Sequence, residues 1–452
     1  MSNTKNMTSG VPIKLLVSFA LPLMFGNVFQ QLYTVVDVAI VGRGVGMTAL
    51  AALGAVDWLN WMLLGIATGF TQGYSVRVAQ AYGRQDETGL KRVLGGSVIL
   101  SVVLTLVVTV LAQLGLPVFL TLLRVPGEVR PMALLYSRII MGGFPAVMFY
   151  NYGASCLRAV GDSKTPLSAM IVASITNIAL DCLTVFVWDW GIAGAAAATV
   201  FSQLLAGTIC AVKLAKTPLL RFGREHMADS KSIQLGLVRI GTPIAAKNII
   251  IALGGMTIQS VVNGFDMSFI AGFTATNKLY GLLEIAALSY GYAITTYIGQ
   301  NFGAMRWDRI RSGMRSAVIL SLCTSALIAA LMVLFGRQIT MLFMSQEAAD
   351  LAAAAGETAY RYLCTMSAAL PALYLLYAFL SALQGIGNTL APMASGILEF
   401  CIRVGLALVV GFSGYQEGIF IAEVSAWIGA ALLLALSFYR NYRKLAAKEV
   451  PE

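Results

Sequence analysis

The sequence predicts an all-α integral membrane protein of twelve transmembrane helices, built as two parallel six-helix repeats. Three observations lead there. Of 452 residues, 58% are hydrophobic and 12% charged, with a mean hydropathy of +0.78. A soluble domain carries about 25% charged residues, so this chain could not cover a soluble surface. Twelve apolar windows are each long enough to cross about 30 Å of hydrocarbon, which takes roughly 20 residues. The chain is also written twice. Gln80-Ala-Tyr-Gly83 returns as Gln300-Asn-Phe-Gly303 and Ser97–Ser101 as Ala317–Ser321, both 220 residues on. Leu157–Pro166 returns as Leu383–Pro392, 226 residues on. Duplication at nearly constant offset marks a repeated unit. In a membrane protein, it is the usual architecture of a carrier that moves one half against the other.

The windows follow in order. The first, 14–40, contains Asn27, Gln30, Gln31 and Asp37 and no small-residue cleavage site, so it is expected to remain as a helix. Gln30, Tyr33 and Asp37 are three and four residues apart and form one polar stripe. The second, 50–76, carries Trp58 and Trp61 near its outer end as interface anchors. The third and fourth, 93–117 and 132–157, lead to the turn Gly161-Asp-Ser-Lys-Thr-Pro166, where glycine ends one helix and proline starts the next. The fifth, 166–187, projects Asn177 and Asp181 from one face, and the sixth, 192–213, holds the small-residue run Gly194-Ala-Ala-Ala-Ala-Thr199.

A polar linker at 214–234, with Lys216, Arg221, Arg224, Glu225, His226, Asp229 and Lys231, divides a lobe at 1–213 from a lobe at 235–452. The seventh window, 236–262, places Pro243 where the first has Pro22 and buries Lys247 too deep for easy snorkelling. The eighth, 270–298, carries Lys278 and Glu284, which a six-residue spacing sets about 240° apart. The ninth and tenth, 315–336 and 358–382, precede the second turn, Gly387–Pro392. The eleventh, 391–412, spaces Glu399 and Arg403 i,i+4, where they can neutralise each other; the twelfth is 417–439.

Six windows per copy make both copies enter the membrane from the same side. With both termini cytoplasmic, about 22 Lys and Arg residues fall inside and about 6 outside, the bias expected of a multi-pass inner-membrane protein. The net charge of +10 lies in short connections rather than one patch, so the pattern speaks for topology and against nucleic-acid binding. Cys156, Cys182, Cys210, Cys323, Cys364 and Cys401 sit in apolar stretches without C-x-x-C spacing and read as small buried hydrophobes. His226 is the only histidine and lies in the linker, so no histidine-based metal site or triad is expected, and no enzyme. Gly161–Pro166 lacks the full phosphate-loop pattern and follows a helix, which points to an ion gradient rather than ATP.

Charges at mid-bilayer cost about 2.5–3.5 kcal/mol even on a permissive scale. They are expected to face a cavity or a partner. Asp37, Asn177, Asp181 and Thr199 offer two carboxylates, an amide and a hydroxyl, with no basic residue on their helices to neutralise the acids. Oxygen donors suit a hard monovalent cation such as Na⁺. The same carboxylates, partly desolvated, could hold a proton instead. The second copy carries a different polar set.

At this point the residues resemble a known family. Ala20-Leu-Pro-Leu-Met24, Gln30-Gln-Leu-Tyr-Thr-Val-Val-Asp37, Ile40-Val-Gly-Arg43, Gly69-Phe-Thr-Gln72, Ala79-Gln-Ala-Tyr-Gly83, Arg158-Ala-Val-Gly-Asp162 and Asn177-Ile-Ala-Leu-Asp181 look like the bacterial branch of the multidrug and toxic compound extrusion (MATE) family. The resemblance covers about residues 13–440. It implies a V-shaped pair of six-helix lobes exporting organic cations in exchange for H⁺ or Na⁺. It also implies a first-lobe cation or proton site at Asp37, Asn177, Asp181 and Thr199. The seventh-helix carboxylate that some branches keep is not evident here; Gln259 and Asn263 are the polar residues there, with Glu284 on the eighth helix.

The expectation is an alternating-access antiporter, monomeric in the bilayer and without a cofactor beyond its coupling ion. Asp37, Asn177, Asp181 and Thr199 serve coupling. Gln30, Tyr33, Gln259, Asn263, Lys278, Glu284, Glu399 and Arg403 form a substrate or second-lobe polar set. The alternative is a flippase of lipid-linked precursors with the same fold, whose anionic head would want basic residues such as Lys247, Lys278 and Arg403.

Overall fold

The computed structural model describes residues 4–228, 231–341 and 349–447; Asp229 and Lys448 lie outside them. Among these residues twelve helical spans follow in chain order: Pro12–Gly44, Met47–Gly83, Glu87–Leu122, a fourth made of two helices, Lys164–Val187, Gly191–Lys216, Lys231–Val262, Met267–Gly303, Trp307–Met341, Ala349–Gly385, Leu390–Ser413 and Gly418–Ala446. The fourth span bends by 43° between Arg130–Gly142 and Phe144–Ala159, where Pro145 follows Gly143. No strand occurs among the described residues.

Ten of these helices, and the bent pair taken as one, are long and apolar enough to cross a membrane. The eighth, at 37 residues, has the length but not the apolarity. Its polar side chains turn inward instead: Thr276, Ser289, Thr295, Thr296, Gln300 and Asn301 are all buried. Thr276, for example, donates to the Ala359 carbonyl at 3.0 Å. A span can be polar in composition when its polar atoms bond other helices rather than meet lipid.

The duplication is visible in the backbone. Gln85 and Met305, 220 residues apart, take left-handed φ of 60° and 58°, each just past the repeated Gln-x-x-Gly. Gly161 and Gly387, 226 apart, take φ of 87° and 85°. At both turns the next residue caps the following helix with its side chain. Asp162 Oδ1 accepts from the Lys164 and Thr165 amides at 3.1 and 3.0 Å, and Asn388 Oδ1 accepts from the Ala391 amide at 3.2 Å. Glycine suits this left-handed position, and Asx side chains suit the cap.

The chain separates into two compact units, Met1–Met7 with Leu21–Ala245, and Thr8–Ala20 with Ala246–Glu452. The two spans divided between units, the first and the seventh, carry Pro22 and Pro243 within three residues of the division. In the first unit, the second and seventh spans approach closely. A Cβ at Gly69 would lie 2.5 Å from Ala245 Cα, and one at Gly73 2.9 Å from Gly241 Cα. Only glycine permits that distance. In the second unit, the tenth span is central, packing on the eighth, ninth and twelfth. Of the cysteines, Cys156 and Cys210 are buried as expected, whereas Cys182, Cys323 and Cys401 are exposed on outward helix faces. An apolar segment in a membrane protein turns part of its surface to lipid, so apolar context does not itself mean burial.

Candidate functional site

In the first unit, the first, fifth and sixth spans supply the polar residues of the site. Asp37 is seven residues from the end of the first span, Asp181 lies in the last third of the fifth, and Thr199 eight residues into the sixth. Asp181 follows Asn177 by one helical turn. Immediately beyond it, the fifth span widens into a π turn, Leu183–Val187. Such turns place an extra residue in the helix and re-aim its neighbours, and they are frequent at functional sites. Thr184 returns its hydroxyl to the Asp181 carbonyl at 3.5 Å.

Asp37, Asn177 and Asp181 are 8%, 1% and 0% exposed. The two carboxyl groups lie within electrostatic and hydrogen-bonding reach of each other. Ionised carboxylates only accept, so a bond between them needs a proton on one. Asp37 Oδ1, Asn177 Oδ1 and both carboxylate oxygens of Asp181 have no hydrogen-bond partner among the described residues. Two of the local donors are already committed. Asn177 Nδ2 faces Thr199 Oγ1 at 3.5 Å, and the Thr199 hydroxyl donates to the Ala195 carbonyl at 3.1 Å. What remains is a set of buried acceptor oxygens. A buried group in that condition is costly, and a monovalent cation or a proton satisfies it.

A small cavity of about 10 Å³, room for roughly one water molecule, adjoins these residues. Tyr33, Met170, Ala173, Asn177, Thr199, Ser202 and Gln203 line it. Asn177 and Thr199 thus belong to both acid cluster and cavity. Tyr33 is within reach of Gln30 and Gln203, so the predicted stripe on the first helix meets the sixth span here. Tyr136, 7% exposed, was not anticipated; it lies within electrostatic reach of Asp37 and Asp181. The i,i+3,i+4 set Thr199, Ser202 and Gln203 is a sequence signal that could have found the cavity wall.

The second unit sorts its expected residues differently. Glu284, Glu399 and Arg403 come together, joined by Lys247 and by Glu423 of the twelfth span. The i,i+4 pairing of Glu399 with Arg403 is present, and Arg403 has a second, closer partner. Arg403 Nη2 is 3.8 Å from Glu399 Oε2 and 3.0 Å from Glu423 Oε2 on the twelfth span. Glu284 accepts from the hydroxyls of Tyr377 and, at 3.3 Å, Tyr280. Gln259 and Asn263 instead bond each other at 2.8 Å near the end of the seventh span. Lys278 is exposed, on the face its spacing from Glu284 predicts. These three do not enter the cluster.

The MatE family model matches residues 22–183 and 243–409, which include every residue of the acid cluster up to Asp181 and much of the second unit. The chain belongs to the MatE family. It is 29% identical over 339 residues to the probable multidrug resistance protein YoeA of Bacillus subtilis, covering 73% of each chain. It is 23% identical over 442 residues to the probable multidrug resistance protein NorM of Thermotoga maritima, covering 96% of this chain and 91% of that one. A solved MATE protein in complex with MaL6 superposes with a TM-score of 0.90 at 24% identity, covering 99% of this chain and 100% of that chain. This is a multi-pass membrane protein with the MATE transporter fold.

Proposed function

We propose that this MatE protein is an ion-coupled antiporter of a bacterial inner membrane, exporting amphipathic organic cations by alternating access. Asp37, Asn177, Asp181 and Thr199 hold the coupling ion, H⁺ or Na⁺. The observation that carries this reading is the pair of buried acids, three of whose four oxygens lack a hydrogen-bond partner among the described residues, beside an Asn177 amide and a Thr199 hydroxyl engaged elsewhere. The names of the relatives, probable multidrug resistance proteins, support drug export.

Ion binding at the acid pair drives transport only if the two access states bind it with different affinity. Asp37 and Asp181 come from different helices, and a small relative shift of the first and fifth spans alters their separation and hence their mutual repulsion. The widened turn after Asp181 gives the fifth span a place to adjust. The chain carries both units, so a monomer suffices.

The flippase alternative depended on free basic residues. Arg403 is already held by Glu423 and Glu399, and Lys247 faces Glu399 and Glu284, which removes much of its support. The test is efflux of a cationic dye by Asp37→Asn and Asp181→Asn variants whose insertion is verified. Each should lose efflux; wild-type rates in either variant would remove that residue from coupling.

A further inference from the structure

The connection between the fifth and sixth spans is three residues long, Trp188, Asp189 and Trp190, and lies at the membrane face opposite the Gly161–Pro166 turn. The two tryptophans are 49% and 56% exposed. Their rings pack on each other, centroids 4.9 Å apart, with Asp189 between them at a left-handed φ of 52°. Neither indole N–H has an acceptor among the described residues.

The pair continues a surface already turned to lipid. From Val172 to Phe186 the exposed residues of the fifth span are Val172, Ile175, Ala179, Cys182 and Phe186, at intervals of three and four. That spacing puts them on one helix face, away from buried Asn177 and Asp181. The two rings extend this apolar stripe to the end of the span.

The same residues close the turn that follows Asp181. The Trp188 amide donates to the Leu183 carbonyl at 2.9 Å, and the Trp190 amide to the Thr184 carbonyl at 2.8 Å, so both are bonded to the π turn. On its inner side the turn has little room. A Cβ at Gly194 would stand 2.7 Å from Thr184 Cβ, and one at Gly44, the end of the first span, would collide with Val185. Its outward side carries the exposed tryptophans.

We propose that Trp188 and Trp190 dock in the headgroup and glycerol layer of the bilayer, and that this contact holds the π turn behind Asp181 in place. An indole suits that layer because its ring is apolar and its N–H can donate to phospholipid ester or phosphate oxygens. The exposed carboxylate of Asp189, between the rings, opposes deeper entry into hydrocarbon. Neither part depends on which ion Asp37 and Asp181 bind.

The contact is tested by ¹⁹F NMR of the full chain carrying 5-fluorotryptophan, in nanodiscs whose phospholipid bears a nitroxide either on the headgroup or at the acyl-chain end. The six tryptophans give six resonances, and Trp188→Phe and Trp190→Phe assign two of them. Those two should broaden more with the headgroup label than with the chain-end label, while buried Trp427 responds to neither. Rings indifferent to both labels face water or another copy of the chain; that result, or stronger broadening by the chain-end label, overturns the docking. The hold on the turn is tested by hydrogen–deuterium exchange over residues 183–190 in the same nanodiscs. Trp188→Ala/Trp190→Ala should lose protection there, and Trp188→Tyr/Trp190→Tyr, which keeps amphipathic rings, should retain it. Wild-type protection should also fall in longer-chain lipid, whose interface lies beyond the turn, a dependence that ring stacking alone would not give. Unchanged protection in the alanine variant, loss in the tyrosine variant, or indifference to lipid length overturns the second part. Efflux enters neither measurement, so failure here leaves the antiport reading standing, and failure of that reading leaves this one.

Discussion

At the scale of single residues, the acid pair was legible because buried charge without a partner is rare enough to be informative. Asp37, Asn177, Asp181 and Thr199 were found from spacing and residue type. Their meeting in one place is a property of the fold, as is the nearness of Tyr136, whose sequence context is an ordinary apolar helix. The second unit was less legible. An i,i+4 acid and base suggest a local pair, yet Arg403 reaches across to Glu423, whose position in the twelfth span carries no pattern of its own. Two expectations follow. Thr199→Val leaves the buried Asn177 amide without an acceptor, a loss of about 1–3 kcal/mol, so dye efflux should fall by roughly five- to 150-fold. Arg403→Met strands Glu399 and Glu423, a penalty of about 3–5 kcal/mol for breaking a buried pair, and should appear as a lower thermal unfolding midpoint in detergent.

At the scale of elements, all twelve windows correspond to helical spans, with the helices running several residues past the apolar core at most ends. A sequence window registers the apolar stretch alone, whereas the helix continues until a cap stops it. The third span begins where Asp86 accepts from the Gly89 amide at 2.8 Å, and the eighth where Asp266 accepts from the Phe269 amide at 3.0 Å. The Ser268 hydroxyl first, then the Phe269 amide, hold the Asp266 carboxyl down to about 2. Its contribution to the cap is therefore present above the ordinary aspartate range and is lost only as pH falls through about 2. The π turn in the fifth span has no required composition, whereas the bend in the fourth follows Gly143 and Pro145, which the apolar window does not weigh. Close approach of the second and seventh spans yields a sharper expectation. Gly69→Val places side-chain atoms against the Ala245 backbone, overpacking of about 1–3 kcal/mol, and should lower both the unfolding midpoint and the efflux rate. A Gly54→Val control, with nothing within 4 Å of the added Cβ, should change neither.

At the scale of the whole molecule, the repeat supplies a common scaffold on which the two halves carry different chemistry. Gln85 with Met305, and Gly161 with Gly387, show how closely the turns were copied. The charges were not. At the 226-residue offset, Asn177 stands opposite Arg403 and Asp181 opposite Ala407, so the acid cluster of one unit corresponds to part of the mixed network in the other. The sequence predicted the copied scaffold because turns and spans have local signatures. Which charges meet depends on helix packing, which no local signature records. The concentration of Lys and Arg in alternate connections yields a topology expectation. Single cysteines placed at Ser2 and Lys448 on a cysteine-free background should react with a membrane-impermeant maleimide in inverted vesicles and not in intact cells.

The central claim is that buried acids in the first unit couple an ion gradient to export. Its most direct test is efflux of a cationic dye from proteoliposomes, with a proton gradient and a sodium gradient imposed separately. The account predicts that one of the two gradients drives efflux and that Asp37→Asn abolishes the response. Efflux indifferent to both gradients, or gradient-driven efflux undiminished in Asp37→Asn, would contradict it.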